Sequence, residues 1–346
     1  MPMKKIIITI LFALPVCLII LVNLILPYFS NEKIRELEYG ELYIKHMAFI
    51  KRPLVDTVIC GDSRVTRIIP DPFLRRHWAP FNMELTGTEP VDMAMEVRYA
   101  LLYGKIKRLV LGVSFESMSE KDHFLTPHFS NTFPFTDPRI NQFRALPQEH
   151  GIYQRARQLR DWLIIFWDHT KRRACSRLDY LFFKYIRHQF PLTIDEYGVG
   201  QYGEAVRTIK KGTHEYEQNR DPRSFFYRED CEAGFLKNKK LSIQAEQVYA
   251  EIFQELRLRK IPTVVFETIK LPSYQRMIDQ DPMLEGLNEQ WRNFFRKEAY
   301  GGIKFIEAKE LAPYYYFDEF FDPVHFLGEK TEKALSEKLA SALEQI

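Results

Sequence analysis

The sequence predicts an α/β fold in which a doubly wound, mainly parallel five-stranded sheet carries helices on both faces. Short apolar runs rich in β-branched residues recur along the chain, and segments with helical periodicity lie between them. The chain has 346 residues, of which 46% are hydrophobic. It is therefore long enough for one large domain or two small ones, and too hydrophobic for disorder.

Five short runs are predicted as strands of this sheet. The first, residues 54–60, is apolar and ends at Gly61, which is typical of a strand buried on both faces. The others follow in chain order at residues 81–85, 108–115, 261–266 and 303–306. Ligands of such sheets bind at the carboxyl ends of the strands, so residues just after these runs are the first candidates for a site.

Helices are predicted between and after these strands. One begins with Thr88 as its cap and Pro90 in its first turn, and it runs through Tyr103 to a stop at Gly104. Two more are predicted over residues 241–260 and 281–300. The terminal helix has a core stripe formed by Leu335, Leu339, Ala342, Leu343 and Ile346.

An uncharged apolar run at residues 6–29 predicts an N-terminal transmembrane helix. Lys4 and Lys5 precede it, which places the rest of the chain outside the cytoplasm. The predicted organisation is an anchor at 1–30, a linker at 31–53 and an α/β domain at 54–346. The alternative for the apolar run is a cleaved signal peptide.

The interval 117–240 is too long for a loop and is predicted to be an insertion with its own helical structure. Residues 155–188 combine helical character with interleaved basic and aromatic residues. One interpretation is a set of helices packed on the core with a solvated basic face. Another is an amphipathic surface against the outer membrane leaflet, or an aromatic wall for a sugar chain.

Composition excludes several functional classes. A net charge of +3 gives no basic footprint for nucleic acid. The four cysteines have neither zinc-site spacing nor the density of a disulfide scaffold, so no metal is expected. The glycine-containing stretch 197–203 lacks the spacing and the flanking strand of a phosphate-binding loop, so no cofactor is expected.

The first chemical motif is Gly61-Asp62-Ser63, directly after the first predicted strand. Glycine permits the tight turn that would expose the Ser63 hydroxyl, and backbone N–H groups there can bind an oxyanion. A free serine is a poor nucleophile and needs a base. By itself the tripeptide is also common as an ordinary exit from a strand.

The second motif supplies a base. Asp322 and His325 are three residues apart, just before the terminal helix, so one turn brings both side chains to the same side. The carboxylate can hold the Nδ1 proton and leave Nε2 to accept the serine proton. A lone motif of this kind can also be a capping aspartate beside a structural histidine. Together the two motifs predict a Ser63–His325–Asp322 triad.

The pair of motifs resembles the SGNH (GDSL-like) hydrolase family, whose first block is matched by residues 61–63 and whose last block is matched by residues 322–325. The resemblance implies a flavodoxin-like SGNH fold. It also implies an oxyanion hole formed by the Ser63 N–H, the Gly87 N–H and an asparagine after the third strand. No asparagine stands in residues 113–117, so Ser114 or a backbone amide is expected to substitute.

The anchor and the motif context are similar to those of membrane-anchored envelope SGNH proteins, such as those of alginate O-acetylation or teichoic acid D-alanylation. This resemblance implies an envelope polysaccharide or teichoic-acid-like polymer as acceptor, and a multipass membrane acyltransferase as partner. Three functions stay open. They are acyl transfer or ester hydrolysis on an extracytoplasmic glycopolymer, hydrolysis of a lipid or small ester, and a catalytically weak scaffold or polymer-binding subunit.

Overall fold

A five-stranded sheet forms the centre of the protein in the computed structural model. The structure describes residues 13–15, 17–18, 21–29, 31–118, 152–188, 194–199, 217–218, 220–221, 240–326 and 328–346. All four strand pairings are parallel. The predicted parallel α/β sheet is therefore confirmed.

The strands follow the order β2-β1-β3-β4-β5 across the sheet. Their bounds are Thr57–Cys60 for β1, Pro80–Asn82 for β2, Arg108–Val113 for β3, Thr263–Glu267 for β4 and Ile303–Ile306 for β5. The chain runs outward from β1 to β2 and then returns to the other side of β1. The winding thus reverses between β1 and β3, which is where open α/β sheets bind their ligands.

The helices that accompany the sheet are named α1 to α9 in chain order. Their bounds are Glu32–Ile50 for α1, Asp71–Leu74 for α2, Pro90–Tyr103 for α3, Ile152–Phe182 for α4, Ile243–Leu258 for α5, Pro272–Gln280 for α6, Pro282–Glu298 for α7, Ala308–Leu311 for α8 and Glu329–Glu344 for α9. A π-helix, Phe183–Arg187, continues α4.

The sheet is covered on both faces because its strands alternate between two hydrophobic clusters. Val58 and Cys60 belong to one cluster, with side chains of α3, α5 and α7. Ile59, between them, belongs to the other, with Phe73 of α2 and Leu339 of α9. Successive side chains of a strand point to opposite faces, so burial of both sets requires helices on both sides. The doubly wound arrangement is confirmed.

Predicted element ends differ from the observed ones by a few residues. Leu54 is 84% exposed and precedes β1, because strand pairing begins only at Thr57, opposite Pro80 and Arg108. Ile346 is 41% exposed and lies beyond the end of α9, so its predicted place in the core stripe is wrong. The other four stripe residues of α9 are buried.

The start of α3 also differs from the prediction. Glu89 is its N-cap, in a capping box with Asp92, and Pro90 occupies the first turn as predicted. Thr88 does not cap the helix. Its hydroxyl donates instead towards the carbonyl oxygens of Gly61 at 2.9 Å and Leu85 at 2.6 Å, which ties this turn to the end of β1.

The segment 31–53, predicted as a linker, contains helix α1 at Glu32–Ile50. The helix is kinked at Gly40, whose φ of 64° lies in the left-handed region. Its sequence is rich in charged residues and lacks a clear apolar stripe, so local periodicity did not reveal it. Tertiary contacts stabilise it instead: Lys45 pairs with Glu84, and Phe49 joins the hydrophobic cluster on one face of the sheet.

Only parts of the predicted insertion at 117–240 are described. Helix α4 lies there and packs against α1. The segment 194–199 lies beside the edge strand β2, where the Asn82 N–H donates to the Tyr197 carbonyl at 2.8 Å. Leu163, Trp167 and Leu178 are exposed on α4. The insertion thus contacts the sheet domain at its β2 edge.

The predicted membrane span at residues 6–29 falls partly outside the described residues. Those that are described form helical turns, including the π-helix Leu21–Ile25. No helix of the described residues combines the length and the apolar character that a membrane crossing needs.

We expect replacement of the buried Glu96 of α3 by glutamine to stabilise the fold more at neutral pH than at acid pH. Burial, reinforced by the Asp92 carboxylate, raises the pKa of Glu96 well above its usual range. The folded protein then keeps the carboxyl neutral while the unfolded chain ionises above a pKa of about 4.3. The free energy of unfolding of the wild type therefore falls as the pH rises from the pKa of the unfolded chain towards the raised pKa of the folded protein. The slope is at most about 1.4 kcal/mol per pH unit.

Urea unfolding at pH 4.5 and pH 7.5 measures this effect. The gain in unfolding free energy of Glu96→Gln over wild type should be larger at pH 7.5. Glu251→Gln is the control, because it makes the same substitution on the exposed surface of α5. A gain that is equal at both pH values would contradict a neutral Glu96.

Candidate active site

The candidate site lies at the carboxyl edge of the sheet, beside the point where the winding reverses. Ser63 follows β1 after two residues and begins the short 3-10 helix Ser63–Val65. Asp62 caps this turn, and its Oδ1 accepts the Arg64 N–H at 3.0 Å. The nucleophile position predicted from the sequence is therefore a capped turn at a strand end.

Ser63, His325 and Asp322 form a continuous chain of hydrogen bonds. The Ser63 Oγ is 2.7 Å from the His325 Nε2, although the two residues are 262 positions apart in sequence. The His325 Nδ1 is 2.7 Å from the Asp322 Oδ2. With the Nδ1 proton donated to Asp322, Nε2 is left to accept the serine proton. The predicted proximity of Ser63 and His325 is confirmed.

Asp322 is held as a carboxylate facing the imidazole. Burial by itself raises its pKa, but His325 and the N–H groups of Val324 and His325 hold the pKa of Asp322 below its usual range. Both N–H groups donate to Oδ1 at 2.8 Å, which leaves Oδ2 for the ring nitrogen. The ring of Phe321 stacks on that of His325 at 5.6 Å between centroids.

The loop that carries Asp322 and His325 is fixed by backbone contacts on both sides. The Leu271 N–H, after β4, donates to the Pro323 carbonyl at 2.7 Å. Arg220 of the insertion donates to the carbonyl oxygens of Phe317 at 3.0 Å and Phe320 at 3.1 Å. The loop that carries His325 and Asp322 is thus positioned by the segment after β4 and by the insertion together.

Two glycines allow the serine turn to pack closely on the sheet. A Cβ on Gly61 would lie 2.5 Å from the Val65 Cγ2, and one on Gly112 of β3 would lie 2.2 Å from the same atom. Val65 is fully buried there. The backbone at Gly61 also has a φ of 152°, which disfavours other residues.

Gly87, the predicted second oxyanion donor, lies in an exposed turn on the same edge of the sheet as Ser63. This turn is tied to β1, because the Leu85 N–H and the Thr88 hydroxyl both donate to the Gly61 carbonyl, at 3.3 Å and 2.9 Å. The φ of Gly87 is 73°. No atom of the described residues lies within 4 Å of the place that a Cβ on Gly87 would occupy.

Ser114 differs from its predicted oxyanion role. Its side chain is buried, and its hydroxyl donates to the Asp62 Oδ2 at 3.0 Å. A hydroxyl has one proton to donate, and Asp62 receives it. Ser114 therefore supports the cap of the serine turn and is not the replacement for the family's asparagine that the sequence predicted.

A network of charges beside Ser63 was not predicted from the sequence. The Arg64 guanidinium lies 3.3 Å from the Asp62 Oδ2 and 3.1 Å from the Glu116 Oε2, and the Lys270 Nζ lies 3.6 Å from the Glu116 Oε1. Burial raises the pKa of Glu116, but Lys270 and Arg64 hold it below its usual range. The network joins the ends of β1, β3 and β4. These charged residues come just after predicted strands, and that position could have marked them in the sequence as candidates for the site.

Comparison with known proteins assigns no family to this arrangement. No protein-family model matches this chain, and neither does any curated protein. Within the described residues, no group of three or more His, Cys, Asp or Glu side chains could hold a metal ion. The functional assignment therefore depends on the geometry of Ser63, His325 and Asp322.

We expect Gly61→Ala to destabilise the protein more than Gly87→Ala. The added methyl of Gly61→Ala meets buried Val65, and overpacking of this kind costs about 1–3 kcal/mol in addition to backbone strain. Gly87→Ala carries backbone strain of about 1–2 kcal/mol at its positive φ but has open space for the methyl. Urea unfolding of both variants measures the difference. Equal costs would show that Val65 moves aside freely.

Proposed function

We propose that this protein is an SGNH-type serine acyltransferase or esterase that acts on a cell-envelope glycopolymer outside the cytoplasm. The observation that carries the proposal is the hydrogen-bond chain from Ser63 through His325 to Asp322, with both links at 2.7 Å. These distances are those of a nucleophile, its general base and the carboxylate that orients the base.

The chemistry follows from the positions of the protons. As the Ser63 Oγ attacks an ester carbonyl, its proton passes to the His325 Nε2. His325 then returns the proton to the leaving alcohol, and an acyl-enzyme on Ser63 remains. A sugar hydroxyl or a water molecule then gives a proton to the His325 Nε2 and attacks the acyl carbonyl. As the bond to Ser63 breaks, His325 returns this proton to the Ser63 Oγ, and the free enzyme is restored. Asp322 stays ionised and stabilises the imidazolium throughout.

The backbone N–H groups of Ser63 and Gly87 are the proposed donors to the oxyanion. Ser114 gives its proton to Asp62, so it supplies no third donor through its side chain. Loss of one such donor typically costs about 10²–10³ in rate. The missing third donor therefore favours an enzyme that is slow with simple esters. We propose that such a site transfers its acyl group to a bound polymer.

The sheet supports the SGNH part of the proposal. Its order, β2-β1-β3-β4-β5, is that of flavodoxin-like sheets, and Ser63 lies at the end of β1, beside the switch point. The His325 loop reaches the same edge after β5. A nucleophile after the first strand and a base before the terminal helix are the arrangement that the family resemblance implies.

The proposed location is the cytoplasmic membrane, with a single N-terminal span and the catalytic domain outside. Residues 6–29 carry no charge and follow Lys4 and Lys5. Exposed apolar side chains recur in the described part of this segment and along α4, including Leu18, Tyr28, Trp167 and Leu178. A multipass membrane acyltransferase that supplies the acyl group is the proposed partner.

A scaffold or polymer-binding subunit with weak catalysis is the second candidate. The observation that favours it is the engagement of Ser114 by Asp62, since this leaves one position of the implied oxyanion hole without its side-chain donor. The intact hydrogen bonds of the triad favour the enzyme instead. Analysis of the reaction products distinguishes a third function, hydrolysis of a lipid or small ester, from acylation of a polymer.

We expect Ser63→Ala and His325→Ala each to abolish ester cleavage while the protein stays folded. In serine hydrolases such changes cost about 10⁶ in kcat, and the double variant should be no worse than either single one. Asp322→Asn should cost less, about 10⁴, because the aspartate only orients and stabilises the imidazole. The rate of p-nitrophenyl acetate hydrolysis measures the loss of activity in each variant, and covalent labelling by a fluorophosphonate measures the reactivity of Ser63.

Ser114→Ala is the matched control for the labelling experiment, because Ser114 lies near the same strand ends but is buried. It should retain the fluorophosphonate adduct, which peptide mass spectrometry should locate on Ser63. A folded wild-type protein that neither cleaves esters nor takes the label would support the scaffold. Acyl transfer to an added envelope glycan would distinguish a transferase from a hydrolase.

We expect a reporter fused after Ile346 to be active only outside the cytoplasm, and the intact chain to sediment with membranes. The reason is the uncharged run at 6–29 behind two lysines. N-terminal sequencing of the purified protein is the accompanying measurement. A mature chain that begins near residue 30 would identify the run as a cleaved signal peptide.

A further inference from the structure

Helix α1 reaches the turn that carries Gly87 through two side chains. Glu41 and Lys45 are four residues apart, so both lie on one face of the helix. The Glu41 Oε2 accepts the Thr86 N–H at 3.1 Å, directly beside Gly87. The Lys45 Nζ donates to the Glu84 carboxylate at 2.6 Å and also to the Glu84 backbone carbonyl.

The contact between Lys45 and Glu84 is buried and charged. Both side chains are fully or almost fully enclosed. Burial by itself lowers the pKa of Lys45, but Glu84 and Glu41 raise it above its usual value, so the ammonium group stays charged. A buried ion pair adds little net stability compared with apolar residues, whereas its geometry is restrictive. The pair therefore fixes where α1 lies relative to residues 83–88.

The same segment is tied to the serine turn on its other side. The Asn82 Nδ2 donates to the Val65 carbonyl at 3.1 Å, and its Oδ1 accepts the Glu84 N–H at 3.0 Å. The Thr88 hydroxyl donates to the Gly61 carbonyl. Thr86 and Gly87 form the exposed tip of this turn. Glu41 contacts the tip itself.

We infer that Glu41 is a positioning residue that holds the Gly87 amide in place for the oxyanion. This inference rests on the proposed function. The Glu41 carboxylate fixes the Leu85–Thr86 peptide, one peptide before the Gly87 N–H, while the pair formed by Lys45 and Glu84 fixes the helix from which Glu41 extends. Helix α1 is therefore part of the active-site architecture, although the sequence predicted it to be a linker.

The test compares three variants of the full chain in the hydrolysis of p-nitrophenyl acetate. Glu41→Ala should lower kcat by about 10- to 100-fold with little change in KM, because a donor is misplaced but substrate contacts stay. Glu41→Gln keeps an oxygen that accepts the Thr86 N–H and should recover most of the loss. Glu36→Ala is the matched control. It removes a glutamate of the same helix whose carboxylate pairs with Lys33 of α1 at 2.6 Å.

Thermal midpoints of all three variants are measured alongside, and Glu41→Ala should unfold at a temperature close to that of Glu36→Ala. A Glu41→Ala variant with the kcat of Glu36→Ala would overturn the positioning role. So would a loss of kcat that Glu41→Gln fails to recover. If the Ser63→Ala variant hydrolyses p-nitrophenyl acetate as fast as the wild-type chain, the proposed function fails, and the positioning role fails with it.

Discussion

The contact of Val65 with the backbone of two neighbouring strands is the constraint on which the site depends. Its side chain occupies space that a Cβ on Gly61 or Gly112 would fill. Val65 follows Ser63 by two residues and is fully buried, so this fit holds the serine turn directly on the sheet. The Ser63 hydroxyl can then meet an imidazole from the other end of the chain at a fixed distance.

Charged groups extend this constraint from the serine turn to the loops around it. Asp62, Arg64, Glu116 and Lys270 lie at the ends of three adjacent strands and compensate one another. Buried charges are costly when they are not paired, so each group restricts the position of the next. Through the strand end that carries Lys270, the network connects to the loop that holds Asp322 and His325.

Prediction from sequence succeeded where burial or strand-end chemistry leaves a local pattern. Strands buried on both faces are short apolar runs, and all five were predicted with small errors at their ends. Ser63 and the pair Asp322 and His325 were found because parallel strands bring their carboxyl ends to one edge, so residues far apart in sequence meet there. Glycine at 61 indicated the tight turn.

The sequence by itself thus determined the α/β class, the order of the strands along the chain and the three residues that the structure joins by hydrogen bonds, because apolar periodicity and strand-end motifs are local properties. The tertiary structure decided that Ser114 donates to Asp62, that residues Glu32–Ile50 form a helix, and that Glu41 reaches Thr86. The two hydrogen bonds join residues that are 52 and 45 positions apart, and α1 is held by Lys45 and Phe49, which contact residues outside the helix. Polar residues carry no periodic signal for such partners, so only the folded chain selects them.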